Sequence, residues 1–496
     1  MHTDEAVHAV KFGELLENNF YKYDPIEFHG PTLNYFTLVS SFLFGQKSFQ
    51  EINEYTLRLV PVIISLLLIA SLLLFKNKNN SGLIIIIALL ITTSPIIQFY
   101  SRYYIQEILL ITFTYSAVIT FYKYFITKQK LWIITSAVLV GLLFATKETS
   151  IITFFSAIAA VIVLSTLDRN IRKSIIFLKS DLFLFLIISS LISILFYSSF
   201  FTNAQGIIDS ISTFGNYFSK AGNNIEHAKP WYYYFKLMLF TNNNLIFYTT
   251  IPVFFFSIIG IYFAFSERQK IINTSLFRFF TIFSLLQTII YSLISYKTPW
   301  LILNFWIGFL FLAGFGIYQT FNFLNEKKLK NLFTFLIVLL FAHNIFQIFI
   351  TSFKYSYLAE NPFTYSQPTQ QVIMIADKVL NITKATNEKN NTLVSVIAKD
   401  NDYWPLPWYL RKLNNVAWNN NVPDSIYKFP IILTSPNFEE ELTEKLYNVP
   451  PAGKKNLYVP LFDKYLEIRA TVEIRGYVQK KYYDFYLRSL DTSITK

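Results

Sequence analysis

The chain has 496 residues, of which 53% are hydrophobic and 15% charged, where an ordinary globular protein carries about 25% charged residues. It has no cysteine, which excludes a disulfide framework and thiolate metal sites. A net charge of +12 would suit nucleic acid, so the placement of the cations decides whether that class survives.

The opening, MHTDEAVHAV, sets an adjacent acid pair, Asp4 and Glu5, ahead of a largely apolar chain. The stretch TDEAVHAVKFGELL reads as a helix start capped by Thr3. NNFYKYDPIEFHGPTLNYF follows, with Asp24, Glu27 and His29 among Pro25, Gly30 and Pro31. Those prolines and the glycine break helices, so residues 1–58 read as a long first external loop that returns to the membrane surface. A capped amphipathic helix hairpin is a compatible reading of the same residues.

Apolar runs approaching the roughly 20 residues of a bilayer span fall near 59–75, 83–97, 105–126, 131–146, 150–167, 182–201, 245–265, 279–295, 300–320 and 332–352. These ten form a helical body over 59–353, interrupted by a loop at 202–244 rich in turn residues and aromatics. His343 is the chief ionisable residue inside a run and reads as a polar contact between helices. Residues 366–496 alternate strand candidates (TLVSVIA, NVAWN, FPIILTS) with amphipathic helices (TQQVIMIADKVLNIT, NFEEELTEKLYN), which predicts a small α/β domain.

The connecting loops orient the chain. One set holds Lys76, Lys78, Lys123, Lys128, Lys130, Arg169, Arg172, Lys173, Lys179, Arg268, Lys270, Arg278, Lys327, Lys328 and Lys330. The alternate set holds only Arg102, Lys147, Lys220, Lys229, Lys236 and Lys297. Basic residues are retained on the cytoplasmic side, so the first set is expected inside and both chain ends outside. Most of the excess charge is then topological, and nucleic-acid binding is set aside. No span precedes Asp4 to carry it across; the favoured expectation is a first helix lost upstream, the alternative being that residues 1–58 are drawn across by the helix that follows.

The cations left on the outer face each sit in a tight turn: Arg102 in QFYSRYYIQE, with Glu107 close by, Lys147 beside Glu148 in FATKETS, and Lys297 in SYKTPWL. Any one alone reads as an interfacial anchor. Together with Asp4 and Glu5 they suit a lipid-linked phosphate: cations to stabilise a phosphate leaving group, and a carboxylate to serve as base toward an acceptor hydroxyl. In DYWPLPWYLR, Trp404 and Trp408 are either a rigid aromatic platform for a sugar or core packing at a strand-to-helix junction.

HTDEAVHA, YKYDPIEFHGP, SRYYIQE, TKE, YKTPWL and DYWPLPWYLR, in that order, resemble the flippase-activity-associated membrane proteins. Those are similar to protein O-mannosyltransferases and the wider GT-C glycosyltransferase superfamily. The resemblance implies a polytopic helical membrane protein of the GT-C type with about ten spans and a small C-terminal α/β domain. It implies transfer of a sugar from a polyprenyl-phosphate donor to an extracytoplasmic protein, lipid or glycan acceptor, in the plasma membrane among membrane lipids. By position, Asp4 matches the superfamily's first-loop catalytic acid and Glu5 its neighbour, with Glu107 corresponding to an acidic position near the second external loop. Arg102, Lys147 and Lys297 are the phosphate candidates; Asp24, His29 and Glu148 fall on the acceptor or supporting side. No cofactor is required by the sequence, and the carboxylates permit a divalent metal. The competing reading is a non-enzymatic flippase accessory or transporter, which would place its ionisable groups near mid-membrane in broken helices.

Overall fold

The computed structural model describes residues 1–76, 80–167, 179–223, 228–243, 245–266, 274–451 and 453–494. Arg169, Arg172, Lys173, Arg268, Lys270 and Lys78, six of the cations used above for orientation, lie outside the described residues.

Two helices precede the apolar body, α1 (Thr3–Asn18) and α2 (Thr32–Leu43). Residues 1–58 are therefore largely helical. Between them, residues 19–31 form the broken loop its prolines require. There follow α3 (Glu54–Ser71, extended by a tight turn to Phe75), α4 (Ser81–Thr92), α5 (Pro95–Tyr100), α6 (Glu107–Thr127), α7 (Lys130–Phe144) and α8 (Ser150–Leu167). After them come α9 (Lys179–Tyr197), α10 (Gln205–Asn223) and α11 (Tyr233–Leu239). The body closes with α12 (Ile251–Phe265), α13 (Ser275–Leu293), α14 (Leu303–Phe323, led by a turn from Pro299) and α15 (Lys327–Ile348, continued to Lys354).

Each of the ten apolar runs contains a helix, though 245–265 opens with strand residues and 83–97 spans two helices; among the described residues seven of these helices are long and apolar enough to cross a membrane. The other three, Ser81–Thr92, Lys130–Phe144 and Ile251–Phe265, are shorter. Their 12 to 15 residues rise only about 18–23 Å at 1.5 Å each. Cations at one end of the bundle rest on aromatic faces, with Lys123 3.9 Å from the Trp132 ring and Lys330 5.3 Å from Phe321, as side chains at an interface do. His343 Nε2 lies 3.2 Å from the Thr249 carbonyl, a contact between two elements.

α14 is buried along almost its whole length and forms the centre of the bundle. α12 packs on it through glycines. A Cβ at Gly260 would stand 1.9 Å from the Leu312 carbonyl oxygen, and one at Gly316 2.3 Å from that of Phe256. Small residues permit such backbone approach where lipid supplies no hydrophobic drive between helices.

The C-terminal part holds a five-stranded sheet of order β4-β3-β5-β9-β6. Its strands are β3 (Val394–Ile397), β4 (Val416–Asn419), β5 (Ile431–Thr434), β6 (Tyr458–Pro460) and β9 (Arg475–Gln479). β1 (Phe240–Asn243) pairs with β2 (Ile246–Thr249), and β7 (Glu467–Arg469) with β8 (Val472–Glu473), as separate hairpins. The three strands expected from sequence are the parallel part, β4-β3-β5; β9 and β6 add antiparallel strands. α16 (Gln371–Ala385), α17 (Leu406–Tyr409), α18 (Glu439–Tyr447) and α19 (Lys480–Ile494) accompany the sheet.

Gly260→Ala should force α12 away from α14 and destabilise the bundle by about 1–3 kcal/mol, the usual cost of overpacking. The measurement is thermal unfolding in detergent, where a substitution at exposed Gly45, which has no atom near its Cβ position, serves as comparison only for its strained backbone.

Candidate active site

The acid pair lies in the first turn of α1, and its two members have opposite surroundings. Glu5 is fully buried, with four hydrogen bonds on its carboxylate. Arg58 of α3 donates Nε to Oε1 at 2.8 Å and Nη2 to Oε2 at 2.7 Å. The backbone amides of His2 and Tyr104 add bonds at 3.0 Å each. Burial alone would raise this carboxyl, but the Arg58 guanidinium overrides it and pulls the pKa to about 2. Such a two-pronged pairing fixes geometry as well as charge.

Asp4 has Oδ2 buried without any hydrogen-bond partner. Burial is the main cause that pushes its pKa up to about 6; the nearby Glu107 adds to this and Lys147 opposes it. Adjacent helical residues point about 100° apart, so anchoring Glu5 toward Arg58 turns Asp4 toward the Glu107–Lys147 pair. Neither carboxylate is free of burial: Glu5 is fully buried, and Asp4, half-buried as a residue, has its Oδ2 enclosed. Thr3 is not the cap expected of it. His2 occupies that position, and Thr3 Oγ1 donates to the Ser366 carbonyl at 2.9 Å.

The turn between α7 and α8 supplies the next group. Lys147 Nζ is buried and hydrogen-bonded to Glu107. Glu148 accepts from Tyr23 Oη at 2.7 Å and pairs with His29 Nδ1 at 2.9 Å. Burial opposes ionisation of Glu148, yet His29 and these hydrogen bonds hold its pKa below the ordinary value. The first loop lies directly on this turn: a Cβ at Gly30 would stand 2.3 Å from the Ala145 carbonyl oxygen, and Thr32 Oγ1 meets Thr146 Oγ1 at 2.8 Å. Glycine is required there by contact. Asp24 serves the loop itself, its Oδ1 accepting from the Ile26 amide at 2.8 Å.

A cleft of about 720 Å³ opens beside the N-terminus of α1, with Arg58, Arg102 and Tyr103 on one wall and Leu59, Val62 and Ile373 among its apolar lining. Arg102 donates Nη2 to the Ser352 carbonyl at 2.9 Å and lies 4.5 Å from the Phe353 ring. The three cations expected to share one phosphate are thus divided. Arg102 lines the cleft; Lys147 belongs to the Asp4 surroundings; Lys297 is buried and donates to the carbonyls of Lys229, at 3.2 Å, and Ile294. The second cation of the cleft is Arg58, which sequence reading passed over. Its signal was there: it is the one cation between Lys47 and Lys76, one residue ahead of an apolar run. Among the described residues, no three of His, Asp and Glu come together to hold a metal ion.

Trp408 is not a platform. It is buried, with Nε1 donating to Glu54 Oε1 at 3.1 Å. Arg411 stacks 3.7 Å from its ring and donates to the Ile52 carbonyl at 3.1 and 2.9 Å. The motif therefore fastens the C-terminal sheet to the start of α3, while Trp404 is only partly buried against the core.

Because Glu5 is buried, removing its partner leaves an uncompensated charge. Arg58→Met should cost about 3 kcal/mol, the low end for a broken buried pair, since Arg58 is partly exposed. The double variant Arg58→Met with Glu5→Gln should recover much of that loss in thermal unfolding; equal loss in both would mean the fork does not anchor α1.

Residues 28–194 match the family model described as dolichyl-phosphate-mannose-protein mannosyltransferase. No curated protein matches the chain. Among solved structures, ArnT from Cupriavidus metallidurans in the apo state has a TM-score of 0.59 at 14% identity, covering 95% of this chain and 93% of that one. The same protein bound to undecaprenyl phosphate gives 0.57 at 14% identity, with the same coverage of both chains, 95% and 93%. The archaeal oligosaccharyltransferase AglB from Archaeoglobus fulgidus, in complex with an inhibitory peptide and a dolichol-phosphate, gives 0.55 at 13% identity over 88% of this chain and 66% of that one. Over nearly its full length the chain carries the GT-C fold that its ordered motifs led one to expect.

Proposed function

We propose that the protein is an integral-membrane glycosyltransferase that moves a sugar from a polyprenyl phosphate to an acceptor on the extracytoplasmic face. The observation that carries this reading is the contrast within the acid pair: Glu5 is saturated by four hydrogen bonds, and the buried Asp4 Oδ2 has none. A buried, unpaired oxygen in a charged cluster costs stability, and such residues gather where chemistry is done. Support comes from the mannosyltransferase family match over residues 28–194 and from solved relatives of this fold bound to undecaprenyl phosphate and to a dolichol-phosphate.

In this reading the lipid phosphate sits in the cleft against Arg102 and Arg58, with its chain along Leu59 and Val62. Asp4 accepts the proton of the acceptor nucleophile as that atom bonds to the sugar's anomeric carbon. The bond from that carbon to the phosphate oxygen breaks, and its electron pair leaves with the polyprenyl phosphate. Lys147 keeps Asp4 ionised against the pull of burial and Glu107. The bias of loop cations supports a cleft and sheet domain outside the cytoplasm.

Transfer should fall as pH drops through about 6, where Asp4 takes up its proton, and Lys147→Met, by removing the opposing charge, should move that limb to higher pH. Asp4→Asn should lower the rate about a hundred- to ten-thousand-fold. A carboxyl whose folded pKa is raised weakens the fold as pH climbs from about 4 to about 6, so Asp4→Asn should leave the melting temperature unchanged or higher. The assay is release of polyprenyl phosphate from a radiolabelled polyprenyl-phosphate sugar by purified protein. A near wild-type rate for Asp4→Asn removes Asp4 from this role; movement of the intact lipid-linked sugar without release would instead identify a transport protein.

A further inference from the structure

A second cavity, of about 200 Å³, lies beside the first and is lined by Thr364, Tyr365, Ser366, Gln367 and Arg469 among others. Gln367 borders both cavities. Two of its polar groups are buried and unpartnered: Gln367 Oε1, an acceptor, and Arg469 Nε, a donor. A lone orphan is a flaw; a matched donor and acceptor in one small cavity call for a ligand that offers both, as a hydroxyl does.

The surroundings narrow the ligand class. Arg469 pairs with Asp402 and donates Nη1 to Ser366 Oγ at 3.0 Å. The Ser366 carbonyl accepts from Thr3, the residue before Asp4. Next to Asp402 begins a ledge of half-buried rings: Tyr403 stands 4.8 Å from Trp418 and 6.1 Å from Trp404, centroid to centroid. Trp418 is on β4, an edge strand of the sheet. Amides flank the rings. Tyr403 Oη donates to Asn401 Oδ1 at 3.2 Å, and the Asn401 amide donates to Asn420 Oδ1 at 3.2 Å. Asp400 and Asn401 both have left-handed backbones, with φ of 56° and 60°, a cost that surrounding structure must sustain.

We propose that this cavity and ledge bind a carbohydrate portion of the acceptor. One sugar ring takes Gln367 and Arg469 through its hydroxyls, and the next lies on Tyr403 and Trp418. The links Asp402–Arg469–Ser366–Thr3 hold that acceptor alongside Asp4. Half-exposed aromatic faces receive the apolar face of a sugar, while carboxylate, amide and guanidinium take its hydroxyls. A cavity of this size holds one small ring; drug-sized ligands occupy roughly 300–1,000 Å³.

The inference rests on the glycosyltransferase reading and is tested apart from it. Full-length protein in detergent is probed with manno-, gluco- and galacto-trioses by saturation-transfer NMR. At least one triose should bind, and Trp418→Ala and Gln367→Leu should each weaken it about tenfold, with Trp418→Tyr restoring most of the affinity. Polyprenyl phosphate binding should be the same in Trp418→Ala and Trp418→Tyr, which also shows that they fold; Gln367→Leu, at the border with the donor cleft, is checked for folding by thermal unfolding. No triose bound by a protein that still releases polyprenyl phosphate would overturn this inference alone, as would triose binding that neither variant weakens, or displacement of the triose by nothing but an extended peptide. Absence of release with triose binding intact would instead count against the transferase reading.

Discussion

The Arg58–Glu5 fork is the constraint on which the site depends. Arg58 sits at the start of a membrane helix, where its guanidinium stays near the interface while its stem runs along apolar surface. Through two parallel bonds it fixes the rotation of α1 about its own axis. Once that rotation is set, helical geometry determines where Asp4 points. The Tyr104 amide joins the same carboxylate, so the residues leading into α6, which carries Glu107, are registered against α1 by the same group. One buried acid thus positions another, and it does so at the cost of its own availability for chemistry.

The three short apolar helices show how a bundle can tolerate segments below the full span length. α7 packs between α6 and α9, and α12 against α14. Their neighbours cover backbone that hydrocarbon could not satisfy. Lys147 and Glu148, buried at the end of α7, each have a partner within hydrogen-bonding reach, Glu107 for one and His29 for the other.

Much of the fold was legible in the sequence because its signals are local. Each of the ten apolar runs contains a helix, and the parallel strands β3, β4 and β5 were marked by short hydrophobic stretches between helical patterns. β6 and β9 were not, since NLYVP and RGYVQ carry little alternation and acquire strand character by pairing. In the site, the acid pair and the cationic turns could be listed, but which acid would be free could not. That depends on Arg58, 53 residues further along the chain, and no local pattern announces a partner at that distance. Lys297 misled for the same reason: its carbonyl partners come from backbone, which sequence does not mark. Trp408 and Arg411 were visible as a motif, yet their use as a fastening to Glu54 and Ile52 depends on a contact over more than 350 residues.

The contacts of Thr3 with Ser366 and of Trp408 with Glu54 join residues made early in synthesis to residues made late. Chains emerge from the ribosome N-terminus first, so the acid pair waits in an unfinished setting while the whole helical bundle is built. Its outer wall arrives only with the sheet. A chain halted before residue 366 would hold the acids, the arginines and most of the apolar path, yet lack the strap that closes over the start of α1. Closure over the start of α1 therefore waits until the sheet has been made.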